Sequence, residues 1–146
     1  MIRPATSADC AILAKIDAIS NPSPWSAKQF ESAIESRTET VLASETDGCI
    51  SGFIVWQSVC DESELHLIAT APEFRRQGIA SALLAQWFQT ASSQQITRLF
   101  LEVRERNEAA QILYRKYGFA ECGRRKHYYS LPDGRREDAV LMDKAV

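Results

Sequence analysis

Residues 64–92 read ELHLIATAPEFRRQGIASALLAQWFQTAS, and this stretch decides the fold. Its first seven residues predict a strand, which Pro72 terminates. From Ile79 to about Ser92 apolar residues recur at helical spacing, so a helix is predicted. The strand and the helix are joined by a short loop that contains two arginines and one glycine.

This loop, Arg75-Arg76-Gln77-Gly78-Ile79-Ala80, would present free backbone N–H groups at a helix N-terminus, where a pyrophosphate can bind. Gly78 and Ala80 are small enough to let a phosphate approach the backbone. The spacing is neither the three-glycine dinucleotide fingerprint nor a P-loop, because no Gly-Lys-Ser/Thr follows. Two interpretations stand at this point: an anion cradle, or an ordinary turn with solvated arginines.

The length of 146 residues predicts one domain spanning 1–146. A formal net charge of −2 does not favour nucleic-acid binding. The sequence has no signal peptide and no apolar run of about 18 residues, so a cytoplasmic protein without a membrane anchor is expected.

No cysteine belongs to a C-x-x-C pair, so no metal site is predicted. All four are expected to be buried: Cys10, Cys49, Cys60 and Cys122.

Capping boxes at 6–9 and 26–29 predict the starts of two helices. Leu13, Ile16 and Ile19 belong to the apolar stripe of the first helix. Asp47-Gly48 predicts a hairpin turn, and the strand after it is apolar on both faces, so it should be central with helices on both sides.

Further elements are predicted at the chain start and in the second half of the chain. They are a short strand near 2–5 at the chain start, a strand at 98–103 parallel to 64–70, a helix between Asn107 and Gly118, and a hairpin near 121–129 and 137–142. The result is a mixed sheet in one compact domain.

Glu102 lies in a predicted strand whose other face carries Leu99, Leu101 and Val103. A carboxylate there must be paired, solvated through a cleft or partly protonated. It is therefore either an ion-pair partner of Arg98 or Arg104, or a catalytic base.

Ala110, Tyr114 and Tyr117 form one stripe on the following helix. Aromatic core packing alone explains such a stripe. The loop, Glu102 and Tyr114 nevertheless belong to consecutive elements and could border one cleft.

The order of these motifs resembles the GNAT superfamily of N-acetyltransferases over nearly the whole chain. Four segments resemble the bacterial ribosomal-protein alanine N-acetyltransferases: Pro24-Trp25-Ser26, Leu101-Glu102-Val103-Arg104, Tyr128-Tyr129 and Glu137-Asp138-Ala139. The resemblance implies a GNAT fold, α/β (α+β), with a central mixed, mostly antiparallel twisted sheet flanked by helices on both faces. Leu67 and Thr70 depart from the usual residues of that subfamily.

The resemblance implies acetyl-CoA as co-substrate. The loop would hold the pyrophosphate, the backbone of Ile68 to Thr70 would pair with the pantetheine arm, and Asn107 would add a polar contact besides capping a helix. The implied cofactor-binding residues are Ile68, Ala69, Thr70, Arg75, Arg76, Gln77, Gly78, Ile79, Ala80, Ser81 and Asn107.

The resemblance also implies Glu102 as base and Tyr114 as acid, with Trp25, Tyr128 and Tyr129 lining a peptide groove. An α-amino group has a pKa of about 8 and must lose a proton before it attacks a thioester. A tyrosine pKa of about 10 against about 8.5 for a thiolate favours stabilisation of the sulfur by hydrogen bonding. No cysteine is needed as a nucleophile, and His66 and His127 are assigned no role.

The expected acceptor is a protein or peptide N-terminus, namely the N-terminal alanine of a small-subunit ribosomal protein. Two alternatives remain open: a small amine or antibiotic as acceptor, and a non-catalytic acetyl-CoA sensor. The chain is expected to be a monomer or a weak dimer. Arg124-Arg125-Lys126 is interpreted as a solvated face that borders the acceptor site.

Overall fold

The computed structural model describes residues 1–146 as seven strands and four α-helices. The strands are β1 (Ile2–Pro4), β2 (Glu39–Thr46), β3 (Cys49–Val59), β4 (Glu62–Thr70), β5 (Arg98–Arg104), β6 (Ala120–Ser130) and β7 (Arg136–Ala145). The helices are α1 (Cys10–Ser20), α2 (Ala27–Glu35), α3 (Ile79–Ser93) and α4 (Glu108–Lys116). Each predicted element is present, and none of the four helices has the length and apolar character needed to cross a membrane.

Local signals in the sequence explain where these elements begin and turn. Ser26 and Gln29 form the predicted reciprocal cap at the start of α2. Asp47 and Gly48 have φ angles of 53° and 78°, which lets β2 and β3 join through a tight turn. Gly118 has a φ of 96° just after α4, as expected of a residue that ends a helix.

All strands belong to one sheet in the order β1-β2-β3-β4-β5-β7-β6. Only β4 and β5 are parallel, and every other neighbouring pair is antiparallel. The predicted mixed, mostly antiparallel sheet is therefore confirmed. The final hairpin inserts β7 beside β5, so β6 forms the edge of the sheet.

Helices cover both faces of this sheet. On one face α3 and α4 pack against Ile54 and Trp56, and on the other α1 and α2 pack against Phe53 and Val55. Alternate side chains of β3 thus enter different cores, as a central strand requires. The prediction of a central, doubly covered strand is confirmed.

Two predictions of burial were wrong. Ile19 is 58% exposed, because it lies about 120° around α1 from the inward-facing Leu13. Of the four cysteines only Cys10 is buried. Cys49 follows the turn into β3, Cys60 lies between β3 and β4, and Cys122 lies on edge strand β6, so these thiols face solvent.

The sheet opens where β4 and β5 separate. The two strands pair only along Glu62–Leu65 and Arg98–Leu101. Directly beyond this paired segment β4 contains a bulge: Leu65 and Leu67 pair with adjacent residues of β3, which leaves His66 as the extra residue. A bulge bends a strand and disrupts its ladder. The last residues of β4 and β5 consequently border a cleft.

Candidate active site

A cavity of about 640 Å³ occupies the cleft between β4 and β5. It is lined by α1 and the loop after it, β4, β5, α4 and β6. The predicted residues that it brings together are Trp25, Ile68, Glu102, Asn107, Tyr114, Tyr128 and Tyr129. Residues separated by up to about a hundred positions in sequence therefore share one site.

Glu102 lies just beyond the segment of β5 that pairs with β4, and its side chain is 22% exposed. Arg125 Nη2 is 3.3 Å from Glu102 Oε1. Burial raises the pKa of the Glu102 carboxyl, and the neighbouring Glu64 charge adds to this effect, whereas Arg125 opposes it. A carboxyl with a raised pKa is a better proton acceptor, which suits the predicted base.

The ion-pair partners predicted for Glu102 were wrong. Arg98 pairs instead with Asp143 at 2.9 Å, and Arg104 pairs with Glu137 at 3.0 Å. Both acidic residues lie on β7, the direct neighbour of β5. Arg125 reaches Glu102 from β6, one strand further away.

Tyr114 occupies the inner face of α4 and is 5% exposed. Its ring packs at 6.0 Å from the Phe119 ring, so aromatic packing does explain its side chain in part. Its hydroxyl forms no hydrogen bond within the protein. Since no fully buried polar side-chain atom lacks a partner, this hydroxyl reaches the cavity surface. Burial raises the Tyr114 pKa, which keeps the hydroxyl protonated and able to donate.

The loop at 75–80 leads into α3 with Gly78 as its N-cap. Arg76 and Gly78 both have positive φ angles, 63° and 77°. The six consecutive backbone N–H groups of residues 76–81 donate to no acceptor within the protein. A Cβ atom placed on Gly78 would meet no atom within 4 Å. These residues fit a pyrophosphate, because unpaired N–H groups and open space are what an anion requires.

The outer edge of β4 leads from the cavity to this loop. Ile68, Ala69 and Thr70 pair with β3 on one side and with no strand on the other. The free side offers backbone groups to which an extended chain can add. Gly52 lets β3 pack closely against this part of β4, because a Cβ at residue 52 would lie 2.7 Å from the Ala69 carbonyl oxygen.

Asn107 caps α4 and also lines the cavity. Its Oδ1 accepts a hydrogen bond of 3.2 Å from the Ala110 N–H. This leaves the side-chain amide N–H groups without a protein partner. The cap and a polar contact to a ligand are therefore compatible.

Three ionisable residues of the cavity lining were missed by the sequence reasoning: Asp17, Glu64 and His66. His66, to which no role was assigned, lies in the cavity wall because of the β4 bulge. Its Nδ1 is 3.5 Å from Glu39 Oε1, and its ring centroid is 6.3 Å from that of Trp25. Nothing in the local sequence indicates such a bulge. His127, in contrast, is exposed and does not line the cavity.

Three aromatic side chains from the α1–α2 loop and β6 line the cavity: Trp25, Tyr128 and Tyr129. Trp25 packs edge-on against Phe30 at 5.3 Å. On β6 the register shifts between Arg125 and Tyr129, which places Tyr128 and Tyr129 at the cavity. The Arg125 guanidinium lies 5.2 Å from the Tyr128 ring centroid. Arg125 of the predicted basic face thus does border the predicted acceptor site.

The cavity carries an excess of acidic groups. Asp17, Glu64 and Glu102 line it, whereas the lining Arg104 is held by two hydrogen bonds to Glu137, at 3.0 and 3.3 Å. Carboxylates in a cleft favour a positively charged ligand. This arrangement suits an ammonium group.

Comparison with known proteins agrees with this geometry. The profile of the acetyltransferase (GNAT) family matches residues 11–119. The chain is 34% identical over 142 residues to a ribosomal protein bS18 alanine N-acetyltransferase of Haemophilus ducreyi, covering 97% of both chains. It is 39% identical over 119 residues to the enzyme of that name from Escherichia coli strain K12, covering 82% of this chain and 79% of the relative.

A solved structure gives the same result. The crystal structure of the ribosomal-protein-S18-alanine N-acetyltransferase from Escherichia coli superposes with a TM-score of 0.91 and 33% identity, covering 100% of this chain and 93% of the other. The predicted GNAT fold is confirmed. Enzymes of this family use acetyl-CoA as the acetyl donor. The chain therefore belongs to the GNAT family of acetyltransferases.

Proposed function

We propose that this protein transfers the acetyl group of acetyl-CoA to the N-terminal α-amine of a protein, and that the acceptor is the N-terminal alanine of ribosomal protein bS18. One observation carries the proposal: Glu102 and the free Tyr114 hydroxyl line one acid-rich cavity beside the unpaired edge of β4. The relatives named for this reaction support the choice of acceptor.

The donor side of the site is formed by the loop and the β4 edge. The N–H groups of residues 76–81 would bind the pyrophosphate, and the free backbone of Ile68 to Thr70 would bind the pantetheine arm. Arg75 and Arg76 are exposed beside the loop and would add positive charge toward the phosphates. When bound, acetyl-CoA supplies an acetyl thioester at the cavity.

Glu102 would remove a proton from the acceptor amine. An α-ammonium group has a pKa of about 8, so most of it carries a proton at neutral pH. The acidic lining attracts this ammonium form, and Glu102 takes its proton directly or through one water molecule. The free amine then attacks the thioester carbonyl and a C–N bond forms. The C–S bond breaks, and the nitrogen loses its second proton to solvent.

Tyr114 would stabilise the leaving sulfur. Because burial raises its pKa, full proton transfer from its hydroxyl to a thiolate of pKa about 8.5 is unfavourable. A hydrogen bond from this hydroxyl needs no such transfer. The thiolate can take its proton later from solvent.

Trp25, Tyr128 and Tyr129 would surround the first residues of the acceptor. Their rings line the cavity where the α1–α2 loop and β6 meet it. Aromatic walls bury apolar surface of a peptide, while the indole N–H can donate and the tyrosine hydroxyls can donate or accept hydrogen bonds. An extended N-terminus can enter this space.

Mass spectrometry of a defined acceptor panel tests the proposal. The panel contains the N-terminal peptide of the ribosomal protein, the same peptide with its terminus already acetylated, a polyamine and an aminoglycoside. We expect one added acetyl group on the free peptide only. Strong turnover of the small amines without peptide turnover would refute the acceptor, and acetyl-CoA binding without any transfer would refute the enzyme.

A further inference from the structure

Asp17 is a buried carboxylate in the cavity lining that takes no part in the proton transfers of the proposed reaction. It is 3% exposed, lies in the last turn of α1 and forms no ion pair. Its position is unfavourable on two counts, since burial disfavours a charge and the C-terminal end of a helix disfavours an anion. No basic residue in the last turn of α1 offsets this.

What Asp17 does bind is the loop that follows α1. The Trp25 backbone N–H donates to Asp17 Oδ2 at 2.8 Å, and the Asn21 side-chain amide lies 3.3 and 3.2 Å from the two carboxylate oxygens. Asn21 Oδ1 in turn accepts from the Ser23 N–H at 3.0 Å. One carboxylate therefore organises the whole turn.

The same turn forms one wall of the cavity, through Asn21, Pro22, Ser23 and Trp25. Residues 22–25 make no backbone-to-backbone hydrogen bond. Apart from the packing of its ring, Trp25 is thus held in place by Asp17. Without that bond the segment would have to be ordered each time an acceptor binds, which costs affinity.

We infer that Asp17 is a positioning residue for the acceptor: its carboxylate holds the Trp25 segment in place as the wall against which the acceptor N-terminus binds. This inference rests on the proposed function, because it concerns the acceptor side of the same cavity. Asp17 acts through Trp25 and not on the reacting atoms. It should therefore affect acceptor binding more than turnover.

The test compares Asp17→Ala with Asp9→Ala. Asp9 is also a buried aspartate, at the other end of α1, but it binds Arg3 and Thr6 and does not line the cavity. For Asp17→Ala we expect the peptide KM to rise about tenfold or more, equivalent to about 1.4 kcal/mol. The kcat and the KM for acetyl-CoA should stay within about threefold of wild type. Asp9→Ala should lower the melting temperature and leave both KM values unchanged.

A second readout needs no substrate. Trp56 and Trp87 are buried, so acrylamide quenching of tryptophan fluorescence reports mainly on Trp25. We expect stronger quenching in Asp17→Ala than in wild type or Asp9→Ala. In Asp17→Asn the remaining side-chain oxygen can still accept from the Trp25 N–H, so this variant should recover most of the peptide affinity.

An unchanged peptide KM in Asp17→Ala, an equal rise in Asp9→Ala, or unchanged quenching would overturn the inference. If Asp17→Ala does not fold, Asp17→Ser replaces it, because its shorter side chain cannot reach the Trp25 N–H; the expected directions and the outcomes against the inference are the same. If wild-type protein acetylates no peptide, the proposed function fails, whereas the quenching comparison still decides whether Asp17 holds the loop.

Discussion

Glu102→Gln is the most informative single change in this protein. Gln has nearly the same shape as Glu but cannot accept a proton from an ammonium group. General base catalysis contributes about 10² to 10⁴ in rate, so kcat should fall by that factor, or by about 3 to 5 kcal/mol of barrier. Acetyl-CoA affinity should hardly change, because Glu102 lies away from the loop at 75–80 that is proposed to bind the pyrophosphate.

The structural cost of this change is small. The partner of Glu102, Arg125, has a side chain that is 53% exposed, and ion pairs of this kind contribute about 0 to 1 kcal/mol. Loss of activity would therefore not result from unfolding. Equal melting temperatures of the two proteins would verify this.

The charges around Glu102 supply matched controls of opposite sign. Arg125→Gln removes the positive charge that lies 3.3 Å from Glu102 Oε1 and lowers the Glu102 pKa, so this change should raise the Glu102 pKa. Glu64→Gln removes a like charge and should lower the same pKa. Because Glu102 must be ionised to act as base, the acid limb of the kcat profile should move to higher pH in Arg125→Gln and to lower pH in Glu64→Gln.

The assay is the rate of peptide acetylation at saturating acceptor from pH 5 to 9, together with calorimetric titration of acetyl-CoA. Saturation matters because the pKa of the free peptide amine affects kcat/KM as well. If Glu102→Gln retains turnover within about threefold of wild type at neutral pH, Glu102 is not the base. A shift of the acid limb in the same direction in both control variants would contradict the electrostatic argument.

Three further changes test other parts of the structure. Tyr114→Phe should lower kcat by about tenfold or more through loss of one hydrogen bond to the leaving sulfur. Thermal stability should not fall, because the hydroxyl has no partner in the protein. An unchanged kcat would remove Tyr114 from the reaction. Gly78→Val should weaken acetyl-CoA binding in a calorimetric titration. A β-branched residue at a φ of 77° is strained by about 1 to 2 kcal/mol, and its side chain would enter the open space beside the N–H groups. The control is Ala82→Val, one turn further along α3 at an exposed position, which should bind acetyl-CoA normally. Asp9→Asn should lower the free energy of unfolding at pH 7 by about 1 to 2 kcal/mol. Arg3 lowers the Asp9 pKa to about 2, so the ionised Asp9 stabilises the folded protein above the pKa of the unfolded state and this stabilisation is lost as the carboxylate protonates. The difference from wild type should therefore vanish as pH falls from about 4 to 2. A difference that persists at pH 2 in chemical denaturation would refute that assignment.

Much of the fold could be predicted because its signals are local. Capping residues mark the start of α2, Asp47-Gly48 marks a hairpin, and the alternation of β3 marks a strand buried on both faces. Each signal depends on a few neighbouring residues whose backbone preferences do not require the rest of the molecule. The burial errors at Ile19 and the exposed cysteines arose where a residue type was weighed without its exact place on a helix, turn or edge.

The candidate site likewise contains residues that could be predicted from local sequence and residues that could not. The loop at 75–80 could be identified because its function depends on backbone N–H groups that consecutive residues supply. Glu102 was noticed because a charge interrupts an apolar strand. Its partner Arg125 could not be found, since which arginine reaches a carboxylate depends on strand order, and β7 inserts between β5 and β6.

The sequence by itself determined the elements, the family resemblance and the two candidate catalytic side chains, because all of these are written in short motifs and periodicities. Only the tertiary structure decided that β4 bulges at His66 and separates from β5, that Asp17 holds the Trp25 segment, and that three carboxylates share one cavity. These features arise from contacts between segments distant along the chain, and their geometry follows from packing the whole sheet between its two helical layers.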